Sequence, residues 1–178
     1  MLNKFTNKIA AIGDSITWGY PYGRSWTHLL EASLNISIYN AGLNGDTLEG
    51  MYARMESVIE ESSPDFCIVM GGTNDVWQGL TSDAMIRDAE KIRQVLKENE
   101  IEIIWGIPAP IVESYMNETL EVLRDWMRKS SSQYIPFDRA FYTNDKLETK
   151  YLPDGVHPSD AGYQRMYEVA RPVIERLL

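Results

Sequence analysis

The stretch KIAAIGDSITWG, residues 8–19, decides the reading of the chain. Its first half, Lys8 to Ile12, is short, apolar and free of helical spacing, as a strand buried on both faces would be. Its second half breaks into Gly13, Asp14 and Ser15 and then resumes an apolar pattern, which marks a sharp turn into a helix. Similar runs recur at Ile36 to Asn40, Phe66 to Met70, Ile101 to Ile107 and Tyr134 to Phe137, most of them ending in Gly, Pro, Asn or Asp. Between the runs, apolar residues step by three and four. Examples are Leu48, Met51, Met55 and Val58; Met85, Ala89, Ile92 and Leu96; and Met116, Leu120, Leu123 and Met127. Ser25 to Leu34 is a shorter version, and Ser159 to Leu178 forms a last helix that Pro172 should kink or shorten. Strand alternating with helix predicts a three-layer α/β/α fold, flavodoxin-like, with a central, mainly parallel sheet of about five strands. No linker, repeat or shift in composition divides residues 1–178, so a single domain is expected.

The balance of residues narrows the function. The chain has 178 residues, 44% of them hydrophobic and 24% charged, which supports a packed core and excludes disordered and collagen-like classes. Seventeen Lys and Arg stand against 26 Asp and Glu, a net charge of -9 that repels nucleic acid and anionic membranes. One cysteine, Cys67, excludes an internal disulfide framework, and two histidines, His28 and His157, exclude most histidine-rich metal centres. Neither a cofactor nor a metal is expected. The apolar run Ile9 to Ile12 is too short for a signal-peptide core, and Ile103 to Val112 is about half a membrane span and holds two prolines. A cytoplasmic protein without stable membrane association is the expectation.

In parallel sheets, chemistry gathers beyond the carboxyl ends of the strands. There the sequence places Gly13-Asp14-Ser15, then Asn44-Gly45-Asp46-Thr47, then Gly71-Gly72-Thr73-Asn74-Asp75, and before the last helix Asp154-Gly155-Val156-His157-Pro158. A hydroxyl, an amide, a carboxylate and an imidazole on one rim are the inventory of acyl transfer. Ser15 at a helix start presents its own N–H to the crevice. His157 is the available base, because His28 falls inside a helical stretch. Asp154, three residues earlier with Gly155 between, can fold back onto the far imidazole nitrogen. Gly45 offers an unobstructed N–H and Asn74 a side-chain amide. Asp14, Asp46 and Asp75 adjoin these residues and read as loop braces.

With these four blocks in order, from residue 13 to residue 158, the chain resembles the SGNH, or GDSL-type, esterase and lipase family. The resemblance implies Ser15 as nucleophile, Asp154 and His157 as its partners, and an oxyanion hole from Ser15, Gly45 and Asn74. It implies a small-molecule ester or thioester substrate, with carbohydrate acetylesterase and lysophospholipase or thioesterase as variants. Asp14, Trp18, Tyr20, Trp77 and Val156 are expected near the substrate, although at least half of the surrounding aromatic and apolar residues, Trp18, Tyr20, Tyr22, Trp77 and 107–112, should fill the core. No lid insertion is visible, so a shallow site suited to small acyl groups is expected. The elbow Gly-x-Ser-x-Gly of α/β-hydrolases is missing, since Thr17 follows Ile16. The rivals are a flavodoxin-like binding module, which leaves Asp154 and His157 unexplained, and a catalytically inactive scaffold like the family's.

Overall fold

The computed structural model describes residues 7–178. Five parallel strands form the central sheet: β1 (Ile9–Gly13), β2 (Ile38–Gly42), β3 (Phe66–Met70), β4 (Glu102–Gly106) and β5 (Tyr134–Ile135), in the order β2-β1-β3-β4-β5. The helices are α1 (Ser15–Trp18), α2 (Trp26–Leu34), α3 (Leu48–Ala53), α4 (Met55–Ser62), α5 (Thr73–Trp77), α6 (Ser82–Glu98), α7 (Ser114–Ser130) and α8 (Asp160–Ile174). The strand pleat sorts side chains to two cores. Ala10 and Ile12 of β1 with Cys67 and Val69 of β3 join Leu48, Met51, Ile92 and Leu123 on one face. Ile9, Ala11, Ile68 and Met70 point the other way, onto Trp26 and Leu30 of α2 and Met166 and Ala170 of α8. Burial on both faces explains why the strands read as continuous apolar runs rather than alternating ones.

The strand order turns back on either side of β1, so the crevice beyond the carboxyl ends of β1 and β3 is where such a sheet binds ligands. Several boundaries differ from the sequence reading. β2 begins at Ile38 and runs into Gly42, because Ile38 pairs with Ile9 and Gly42 with Gly13. β5 stops at Ile135, since Pro136 has no N–H to donate to a ladder. The helical run from Leu48 breaks at Arg54, whose φ of -108° and ψ of 7° lie off the helical values. α8 ends at Ile174, two residues past Pro172. A small hairpin, β6 (Tyr142–Thr143) with β7 (Lys146–Leu147), was not foreseen. Its strands are too short for periodicity, and its turn residues Asn144 and Asp145 take positive φ.

Among the described residues, no helix is long and apolar enough to cross a membrane.

Candidate active site

Asp14 is the N-cap of α1 and accepts the Ile16 N–H at 2.9 Å, which places Ser15 at the first helical position with no helical acceptor for its own N–H. Ser15 is 8% exposed. Its Oγ lies 2.9 Å from Nε2 of His157, and Nδ1 of His157 lies 2.7 Å from Oδ2 of Asp154. The other carboxylate oxygen, Oδ1, accepts the backbone N–H groups of Val156 (3.0 Å) and His157 (2.7 Å). The tight turn depends on Gly155, whose φ of +88° favours glycine. Val112 N–H donates to Gly155 O and ties this loop to the chain beyond β4. Partial burial pushes the Asp154 carboxyl up; the hydrogen bonds from His157 and Val156 outweigh it and hold the group below the usual carboxylate range.

The donors expected opposite Ser15 come to the same rim. Gly45 sits at φ +79°, with no protein atom within 4 Å of where a Cβ would project, so conformation rather than crowding calls for glycine. Its N–H has no intramolecular acceptor among the described residues. One N–H of the Asn74 side chain donates to Asp46 O at 2.8 Å, which fixes the amide plane and leaves its second N–H for another acceptor. A hydroxyl bonded to an imidazole and an imidazole bonded to a carboxylate are the groups that nucleophilic acyl transfer needs, and N–H groups on the neighbouring strand-end loops are the kind of donor an oxyanion needs.

The three neighbouring aspartates brace loops. Asp75 accepts Leu48 N–H with both oxygens, and Asp46 accepts Thr47 N–H and pairs with Arg54. Asp14, expected among the substrate contacts as well, is 1% exposed and does not reach the crevice surface. Burial pushes its carboxyl up to about 7, against the bond from Ile16 and with further repulsion from Asp75 and Asp46. Burial likewise carries Asp75 to about 6. A carboxyl whose folded pKa exceeds its unfolded value of 3.8 stabilises the fold below that value, and the benefit is lost as pH rises through the folded value. Asp14→Asn keeps an acceptor for Ile16 and removes the ionisation. Its thermal stability relative to wild type should therefore climb between about pH 4 and about pH 7 and level off above. A difference independent of pH would contradict a titrating Asp14.

The expectation that at least half of this surface is core holds through residues 107–111, which are buried, while the aromatic residues all lie outside the core. Trp18 (38% exposed), Tyr20 (41%), Tyr22 (72%) and Trp77 (51%) all reach solvent, whereas Ile107, Ala109 and Ile111 are buried. Two hollows flank the 153–156 loop. One, of about 440 Å³, is walled by Trp77, Ile111, Val112 and Val156; the other, of about 500 Å³, by Tyr20, Pro21, Tyr22 and His157. Trp18 lines neither and lies over Gly23. The Tyr20 ring rests 4.4 Å from the His157 ring, and its backbone is pinned by Tyr20 N–H to Ser15 O and by the Tyr163 hydroxyl to Tyr20 O. His28 sits in the first turn of α2, where Nδ1 faces the Ser25 N–H in a capping box. Sequence reasoning missed Arg54. Its one signal is that no other Lys or Arg occurs between Arg24 and Arg87.

Residues 11–165 match the sequence profile of the GDSL-like lipase/acylhydrolase family. The chain is 22% identical to an arylesterase of Vibrio mimicus over 97% of its own length and 90% of the relative's. It is 27% identical to an acetylxylan esterase of Geobacillus stearothermophilus over 88% of both chains. To the thioesterase 1/protease 1/lysophospholipase L1 of Escherichia coli strain K12 it is 26% identical over 83% of this chain and 74% of that one. Among solved structures, a putative lipolytic protein of the G-D-S-L family from Desulfitobacterium hafniense superposes with a TM-score of 0.83 at 25% identity. That likeness covers 94% of this chain and 99% of the other.

Proposed function

The chain belongs to the GDSL-like lipase/acylhydrolase family, and on that premise we propose that it hydrolyses carboxylic esters of small acyl groups through an acyl-enzyme on Ser15. The observation that carries this reading is the unbroken chain of contacts from Ser15 Oγ through His157 to Asp154, at 2.9 and 2.7 Å. In the proposed reaction His157 Nε2 takes the Ser15 proton as Oγ attacks the ester carbon. The carbonyl oxygen becomes an oxyanion facing the N–H groups of Ser15 and Gly45 and the free N–H of Asn74. Asp154 holds the Nδ1–H tautomer of His157 and stabilises the imidazolium that forms. Collapse of the intermediate expels the alcohol, which receives the proton from Nε2. Water then repeats the sequence: it gives a proton to His157, attacks the acyl carbon, and Ser15 recovers its proton as the acid leaves.

Two features support a small, soluble substrate. The hollows beside the 153–156 loop are open and modest in volume, and Trp77, Val112 and Val156 offer an apolar wall suited to an acyl group. The names of two relatives, arylesterase and acetylxylan esterase, point the same way. A second reading, longer acyl esters or thioesters, draws on the half-exposed Trp77 and Val112 and on the thioesterase and lysophospholipase names of another relative. A panel of p-nitrophenyl esters of rising chain length, run beside an acetylated sugar, separates them. The small-acyl reading predicts kcat/KM highest for acetyl or butyryl and falling about 10-fold or more by dodecanoyl, as a site without room for the added methylenes would require. A maximum at dodecanoyl would favour the second reading, and turnover of none of the panel would count against both.

A further inference from the structure

We infer that Arg54 is a positioning residue for the oxyanion hole, an inference that rests on the acyl-transfer reading above. Its guanidinium reaches three segments at once, the ends of β1 and β2 and the loop that follows β2. Nη2 donates to Ala41 O at 2.7 Å and Gly13 O at 3.2 Å, while Nε and Nη2 lie 2.8 and 2.7 Å from Asp46 Oδ2. Gly13 is two residues before Ser15, Ala41 is the penultimate residue of β2, four before Gly45, and Asp46 follows Gly45. Asp46 is also the residue whose carbonyl accepts the Asn74 side chain. Each of the three oxyanion donors is thus within a few residues, or one hydrogen bond, of a group that Arg54 holds.

Local structure is shaped to permit the reach. The helical run breaks at Arg54 itself, and Gly50 lies beneath Asp46, where a Cβ would stand 2.1 Å from Asp46 Oδ1. Gly13 O accepts Leu43 N–H as well, so the nucleophile and Gly45 loops share one carbonyl with the guanidinium. Asp46 is 6% exposed at its side chain and stands among Asp14 and Asp75, which it repels. Arg54 is the cation paired with Asp46 in this acidic cluster. A planar fork with several donors suits these partners, and the ammonium of a lysine cannot bond Asp46 and two carbonyls in the same geometry.

The test is a double-mutant cycle on kcat and KM with p-nitrophenyl acetate. Asn74→Ala should lower kcat about 10²- to 10³-fold with KM changed much less, because the oxyanion exists only in the transition state. Arg54→Ala should lower kcat about 10²-fold in the wild-type background and about 10-fold or less when Asn74 is already alanine. Methylguanidinium added to Arg54→Ala should recover part of kcat, and a smaller factor in the double variant. If Arg54→Ala fails to fold, Arg54→Lys supplies the same cycle with a smaller first loss, about 10-fold. Losses that multiply independently in the two backgrounds, or an Arg54 variant that loses thermal stability while its kcat in the cold holds, would overturn the inference and leave the acyl-transfer reading intact. A wild-type protein inert toward every ester would instead remove the reading on which it rests.

Discussion

Ser15→Ala is expected to fold like the wild type and to lose ester turnover by about 10⁵- to 10⁶-fold in kcat, the loss that follows when a serine nucleophile is deleted from an intact site. The expectation of a preserved fold comes from the contacts of the hydroxyl. Its one side-chain partner is His157 Nε2, while the turn into α1 is held by Asp14 and by the Gly19 and Tyr20 N–H groups donating to the Ser15 carbonyl. Those backbone bonds survive in alanine. Thermal stability should therefore move by about 1 kcal/mol, the net scale of one intramolecular hydrogen bond. Melting curves beside steady-state rates check both halves. A folded Ser15→Ala protein that still hydrolyses p-nitrophenyl acetate within about 10-fold of wild type would place the nucleophile elsewhere.

Asp154→Asn should be nearly as damaging, and the reason lies in the backbone around it. Oδ1 accepts two N–H groups, from Val156 and His157, so an asparagine must keep its oxygen there. Its NH₂ group then faces His157 Nδ1, where Asp154 Oδ2 sits in the wild type. A donor facing Nδ1 forces the proton onto Nε2. That nitrogen would then donate to Ser15 Oγ instead of receiving its proton. A loss of about 10⁴-fold in kcat is the magnitude known for holding a triad histidine in the wrong tautomer. KM should change little, since no substrate contact is removed. A nuclear magnetic resonance spectrum of the imidazole protons would show the switch directly, with the Nδ1–H resonance lost in the variant. A variant that keeps that resonance and its activity would remove Asp154 from the orienting role.

Much of this arrangement was legible in the residues. Strands β1 and β3 announce themselves because they are buried on both faces and are closed by glycine, Gly13 at the end of β1 and Gly71 just after β3, so pattern and punctuation agree. The rim is legible as the polar, glycine-bearing residues that come after the strands. The short turn from Asp154 to His157 is local, and its geometry is set by Gly155. What stayed hidden depends on contacts across the fold. Arg54 breaks its own helix in order to reach Gly13, Ala41 and Asp46, and nothing in its local pattern separates it from a solvated helix arginine. Tyr20 could be placed near the site, but its packing on the His157 ring requires the pinning of its carbonyl by Tyr163, 143 residues away. Which of the aromatics Trp18, Tyr20, Tyr22 and Trp77 would be core was not legible, because burial of an aromatic is the commoner outcome and exposure is decided by which helix face meets the sheet.

The covalent chemistry of Ser15 is open to one direct measurement. The protein is incubated with a fluorophosphonate, which a nucleophilic serine attacks with loss of fluoride and which does not turn over. Intact mass and peptide mapping then read the stoichiometry and the position of the adduct. The account predicts one adduct per chain, on Ser15, with labelling abolished in Ser15→Ala and greatly slowed in Asp154→Asn. No adduct on a folded wild-type protein, or an adduct mapped to another residue and retained in Ser15→Ala, would contradict it.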